Sequence, residues 1–243
     1  MRSLEGVGSG AYGGTVEYVE VARSVSEHGE LVLRERHPET DGPTVLELRA
    51  NGVFVMDTAE HASELALADA ALGVVDRPRR VLVGGLGLGF TLDRVLGDRR
   101  VERCDVVEIE PALVEWMRDG TIPHGRRLLA DDRARIVVAD VATAVAEAAP
   151  ASYDVVLLDV DNGPGHLVHQ ANAALYREPF LTSVRERLTP GGAVVIWSAA
   201  REPELEDDLR TVFGAAEERG HDVRLQDRDD RYWLYVGRRD PAG

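Results

Sequence analysis

Three glycines and three carboxylates carry the chemical signal in this chain. Gly85, Gly87 and Gly89 are spaced G-x-G-x-G within "RRVLVGGLGLGFTLDRVL", where an apolar run passes into an amphipathic one. Glycine at such a junction lets the backbone lie against a ligand, because a Cβ would obstruct the approach. A dinucleotide fingerprint G-x-G-x-x-G would need its third glycine at position 90, which is Phe90. Glu108 closes the next apolar run, "RCDVVEIE", about 20 residues further on, where a carboxylate can accept both hydroxyls of a ribose. Asp140 closes "ARIVVAD", in the place for an acid near an adenine amino group, and Asp159 closes "YDVVLLD", directed at a reacting centre. Each acid alone could simply cap a helix. Taken in order, they point to a ligand of the S-adenosylmethionine type.

These residues act together only if the chain brings them to one edge of one sheet. From Arg79 the sequence alternates strand and helix: "RVLVGG" then "GFTLDRVLG", "RCDVVEIE" then "PALVEWMRDG", "ARIVVAD" then "VATAVAEAA". "YDVVLLDV" follows, then a polar loop, the helix "EPFLTSVRERL" ended by "TPGG", and the strand "AVVIWSA". Continuous apolar strands alternating with helices predict a mostly parallel sheet covered on both faces. Its ligand is received beyond the carboxyl ends of the strands. "ELEDDLRTVFGAAEERG" reads as a last helix, and "HDVRLQDRDDRYWLYVGRR" as a closing antiparallel hairpin turning at Asp229-Asp230. Before position 58 the texture is different, with alternating β-branched residues and an Asn51-Gly52 hairpin signal. The expected fold is therefore α/β. A small N-terminal antiparallel β-domain spans 1–57, a linking helix capped by Thr58 spans 58–78, and a Rossmann-like sheet of the S-adenosylmethionine methyltransferase type spans 79–243.

Composition narrows the chemistry. The formal net charge is −15 over 243 residues, a field that repels nucleic acid and anionic membranes. The chain has no lysine, which excludes Schiff-base catalysis, lysine-anchored pyridoxal phosphate and a Walker loop. One cysteine, Cys104, cannot form an internal disulfide or a cysteine-rich zinc site, and it reads as a packing residue. The glycine-rich start has no apolar h-region, and no run reaches the roughly 18 apolar residues of a membrane span. A cytoplasmic location is expected.

With these residues placed, the chain resembles the spermidine/spermine synthase (polyamine aminopropyltransferase) family. "VLVGGLGLGFTLDRVL" is similar to that family's glycine loop and "VVEIEPALVE" to its ribose motif. "YDVVLLDVDNGPG" and "LYREPFLTSVRERLTPGG" are similar to its catalytic strand, gate loop and following helix. The resemblance implies transfer of an aminopropyl group from decarboxylated S-adenosylmethionine to a diamine, by a homodimer. It implies that Asp159 orients or deprotonates the attacking amine, that Tyr176 and Glu64 contact it, and that Asp161 stands for a second acid.

Three positions depart from the family pattern. Leu88 occupies the place of an Asp in the glycine loop. The family's Asp-Ser-x-Asp-Pro becomes Asp159-Val160-Asp161-Asn162-Gly163-Pro164, which displaces the second acid. The Tyr-His-Glu of the linking helix becomes Ala62-Ser63-Glu64, keeping only the Glu. A diamine is a double cation, and burying it without matched carboxylates costs several kcal/mol. The nucleoside half of the site thus matches better than the polyamine half.

The transferred group is left open by the residues. Methyl transfer from S-adenosylmethionine to a non-polyamine small molecule is the same in-line displacement at a carbon on a sulfonium, helped by positioning and a general base. A relative that binds the nucleoside without catalysis is a third reading. His166 is a further general-base candidate, since imidazole titrates near neutrality. Asp159, Asp161, Asn162, His166 and His169 could together hold a cation, oxygens suiting a magnesium-like ion and histidines zinc or iron. A polar gate loop is the plainer reading, and no metal is expected. The expected partner is a small-molecule acceptor, with neither nucleic acid nor membrane. Trp197 reads as core.

Overall fold

Alternation in the first quarter of the chain folds as an antiparallel meander. The structure, a computed structural model, describes residues 4–9, 15–37, 42–160, 170–225 and 228–241. Strands β1 (Leu4–Ser9), β2 (Thr15–Ser26), β3 (Gly29–His37), β4 (Val45–Ala50) and β5 (Val53–Asp57) pair in sequence order. β1 was not legible in its glycine-rich segment. The β4–β5 turn is Asn51-Gly52 with φ of 51° and 78°, the two left-handed residues that a tight hairpin demands. Leu33 and Leu48 face each other across β3 and β4, both buried. Thr58 does not cap a helix. Its N–H donates to the Leu46 carbonyl at 2.9 Å and its hydroxyl accepts from the Leu46 N–H at 3.0 Å, which extends the sheet.

The chain divides into two compact units, Met1–His61 and Ala62–Gly243. The second opens with α1 (Ala62–Gly73), whose Leu67, Ala68 and Ala71 are fully buried. Then come β6 (Arg80–Gly84), α2 (Phe90–Leu96), β7 (Arg103–Glu108), α3 (Pro111–Asp119), α4 (Gly125–Leu129), β8 (Ala134–Val138), α5 (Val141–Glu147) and β9 (Tyr153–Leu158). A 3₁₀ turn (Gln170–Tyr176), α6 (Glu178–Arg187), β10 (Leu188–Ser198), α7 (Pro203–Phe213), β11 (Ala216–Leu225) and β12 (Arg228–Arg238) complete it.

The sheet runs β11-β12-β10-β9-β6-β7-β8. β8, β7, β6, β9 and β10 are parallel, and β12 and β11 add an antiparallel edge. One face is filled by Leu82, Val156, Leu158, Val194 and Ile196 against Val145 of α5, Leu181 and Val184 of α6, and Leu205 and Leu209 of α7. α1 and α2 cover the other. The strand order reverses between β6 and β9, so a crevice opens at their carboxyl ends.

Two expectations are corrected here. The last helix stops at Phe213, with Gly214 in a left-handed cap (φ 82°), and "AEERGHDVRL" is strand β11. Helix-forming residues in "AAEERG" yield to continuous pairing with β12 from Ala216↔Gly237 to Leu225↔Arg228. Asp229 and Asp230 lie within β12, opposite Arg224 and Val223, and not in the turn.

Candidate active site

The protein's own packing demands glycine at two positions of the turn. Gly85 follows β6 with φ 96°, and its N–H donates to the Val107 carbonyl at 2.9 Å. A Cβ there would stand 2.1 Å from the Asp159 carbonyl oxygen. Gly89, φ 87°, starts α2, and a Cβ on it would meet Met117 and Leu128 at 2.8 Å. Gly87 lies between them with φ 50°. Any side chain at 85 must therefore push the ends of β6 and β9 apart. Gly85→Ala is expected to lower the melting temperature by more than about 10 °C, or to prevent folding, since backbone cannot yield as a side chain can. A thermal melt of the variant checks this.

Glu108, at the end of β7, is buried and clamps the turn. Its Oε2 accepts from the Leu86 N–H and its Oε1 from the Glu110 N–H, both at 2.8 Å. Burial pushes its carboxyl above the usual range. The backbone donors at Glu110 and Leu86 pull the other way, and the nearby Glu110 adds to the rise. The Ile109 N–H also donates to this carboxylate, and acceptor capacity remains for a ligand hydroxyl. Asp140, half-buried at the end of β8, caps α5 by accepting from the Thr143 N–H at 2.9 Å.

Asp159 and Glu64 are brought together. Asp159 follows β9, and its N–H donates to the Gly84 carbonyl at 2.8 Å. Glu64 lies in the first turn of α1, 9% exposed, and takes the Ser63 hydroxyl at 2.6 Å. Loss of water and the negative charge of Glu64 push the Asp159 carboxyl up to about 7, while the Thr91 hydroxyl draws it down. The negative charge of Glu64 thus opposes ionisation of Asp159.

Tyr176 reaches the same strand end in another role. Its ring is 1% exposed and packs in the core, and its hydroxyl donates to the Val160 carbonyl at 2.5 Å. The hydroxyl thus latches the residue that follows Asp159. Asp161 and His166, with Asn162 and His169, lie outside the described residues. Among the described residues no group of three or more His, Cys, Asp and Glu side chains could hold a metal ion.

Leu88 is fully buried, so its side chain packs within the protein. Its carbonyl accepts from His124 Nε2 at 2.5 Å, and His124 stacks on Phe90 with ring centroids 5.3 Å apart. Cys104 is fully buried in β7, and burial pushes its thiol well above the ordinary range, as a packing role requires. Trp197 is half-buried beside Tyr232. The sequence reading missed Thr91 and His124. Thr91 follows the glycine turn by two residues, a position from which a hydroxyl can reach a neighbouring strand end.

A β6-centred parallel sheet, a glycine turn after its first strand and an acid closing its second define the Rossmann-like fold of S-adenosylmethionine methyltransferases. Within that class the chain belongs to the spermine/spermidine synthase family, whose model, the Spermine/spermidine synthase domain, matches residues 60–213. The chain is 29% identical over 192 residues to the polyamine aminopropyltransferase of Aeropyrum pernix, covering 74% of this chain and 59% of that protein. It is 32% identical over 123 residues to putrescine N-methyltransferase 3 of Nicotiana tabacum, covering 51% and 31%. It thus spans less than two thirds of the length of either relative. The crystal structure of spermidine synthase from Thermotoga maritima shares the fold, with a TM-score of 0.71 at 18% identity, over 91% of this chain and 74% of that one. No helix among the described residues is long and apolar enough to cross a membrane.

Proposed function

We propose that this chain transfers an aminopropyl group from decarboxylated S-adenosylmethionine to the amine of a small polyamine-type acceptor. The observation that carries the reading is the Asp159–Glu64 carboxylate pair, set at the strand end whose carbonyl packs against Gly85 of the glycine turn. The glycine turn and Glu108 would hold the nucleoside, with Asp140 near the base. The acceptor enters as an ammonium, with a pKa of about 10 like lysine, and the two carboxylates draw it in. It must lose a proton before it can attack. Asp159 takes that proton, the nitrogen lone pair forms the new N–C bond, and the C–S bond breaks with its electrons passing to sulfur. The sulfonium becomes a neutral thioether and its positive charge passes to the alkylated nitrogen, which leaves as a secondary ammonium, while the proton taken earlier neutralises Asp159.

The sign of the pH dependence follows. Asp159 must be ionised to accept the proton, so kcat/KM is expected to fall below about pH 7 and level off above it. A pH–rate profile checks this. A flat profile between pH 5 and 8 would remove Asp159 as the base.

Methyl transfer from S-adenosylmethionine is the second reading. It is favoured by Leu88, which is buried and supplies no carboxylate to an amine, and by the likeness to a putrescine N-methyltransferase. A homodimer, and a cytoplasmic setting, belong to the proposal with either group. Incubation with each donor and a panel of mono- and diamines, read by mass spectrometry, separates the two. A product heavier by one aminopropyl group supports the first reading, and one heavier by a methyl group the second. No product from any amine would favour a nucleoside-binding relative without turnover.

A further inference from the structure

Asp159 is held by one side chain that the sequence pattern does not mark. Thr91, 3% exposed in the first turn of α2, donates its hydroxyl to Asp159 Oδ2 at 2.9 Å. α2 is fixed in place by the fully buried Leu92 and Val95, and its first turn is closed by the Asp93 N–H on the Gly89 carbonyl at 2.9 Å. The hydroxyl is therefore rigidly tied to the glycine turn. We propose that Thr91 is a positioning residue that holds the Asp159 carboxylate in register with the turn that receives the donor. The inference rests on Asp159 being the proton acceptor.

The surroundings of Asp159 give this bond its weight. α1 brings Glu64, whose negative charge opposes ionisation. The end of β6 brings the main chain of Gly85. The end of β10 brings Trp197, one residue beyond the Ile196↔Leu158 pair and so in register with Asp159. α2 brings the Thr91 hydroxyl, which favours the ionised form by donating to it. A hydroxyl rotates freely, so after Asp159 takes a proton the same oxygen can accept in return. The bond fixes the carboxylate's rotamer through both states, while donor and base remain on one rigid turn.

Thr91→Val keeps the shape and removes the hydroxyl, and Thr91→Ser keeps the hydroxyl. Thr91→Val is expected to lower kcat about tenfold with donor affinity unchanged within about twofold. The acid limb of its pH–rate profile should move up by about one unit, because the group that favoured the ionised carboxylate is gone. Thr91→Ser should restore both. Carbon-13 NMR of the Asp159 carboxyl reads the same upward shift without turnover. A failed search for an acceptor and a failed role for Thr91 are thereby distinguishable. An unshifted titration in Thr91→Val, or a Thr91→Ser variant as impaired as Thr91→Val, would overturn the proposal.

Discussion

Asp159→Asn is expected to abolish turnover and, above neutral pH, to stabilise the protein. The loss of rate should be about 10²- to 10⁴-fold, the usual contribution of a positioned base, while the donor still binds. The gain in stability comes from proton linkage. The ordinary value of this carboxyl is 3.8, and its surroundings raise it to about 7 in the folded chain. Between these values the native state binds more protons than the unfolded one, so folding stability falls as pH rises. The contribution is fully present below about pH 4 and is lost as pH passes through 7. Asparagine carries no charge and escapes that loss. The variant should match the parent near pH 4 and exceed it at pH 8 by on the order of 4 kcal/mol. Paired denaturation curves at the two pH values check the sign. A variant less stable than the parent at pH 8 would mean that Asp159 is a structural anchor.

Glu108→Gln is expected to weaken donor binding about 100-fold, the worth of one or two charge-assisted hydrogen bonds. Glutamine keeps the length but has one acceptor oxygen in place of two. Its amide N–H₂ must then face either the Leu86 N–H or the Glu110 N–H, each now bonded at 2.8 Å. Residue 108 therefore loses one of its two backbone partners, and the ribose hydroxyls lose an acceptor. Calorimetry of the variant measures the loss, and circular dichroism confirms the fold. Affinity within threefold of the parent would remove Glu108 from the nucleoside site.

The elements that build this site were legible because their signals are local. Continuous apolar runs ending in Gly84, Glu108, Val138 and Leu158 announce parallel strands, and the glycine turn after the first and the acid at or beyond each of the other three follow directly from the order of the chain. The pairing of Glu64 with Asp159 could be expected only through the family resemblance, since 95 positions separate them (159 − 64). Tertiary pairing decided the rest. "AAEERG" has the composition of a helix, yet β12 draws it into the sheet. The Thr91 bond spans 68 positions, and nothing local in "GFT" announces it. The Tyr176 hydroxyl bond to the Val160 carbonyl spans 16 positions and depends on packing around the ring, which no local pattern announces. Gly85 shows the same limit. Its sequence position suggests room for a ligand, while the structure shows the Asp159 carbonyl filling the space that a Cβ would need.

The central claim is that the glycine turn and Glu108 bind an adenosyl sulfonium. Calorimetric titration of the purified protein with S-adenosylmethionine and, separately, with its decarboxylated form tests it most directly. Saturable one-site binding is expected, tighter for the decarboxylated donor if the group transferred is aminopropyl and tighter for the intact donor if it is methyl. Absence of binding by both would contradict the claim.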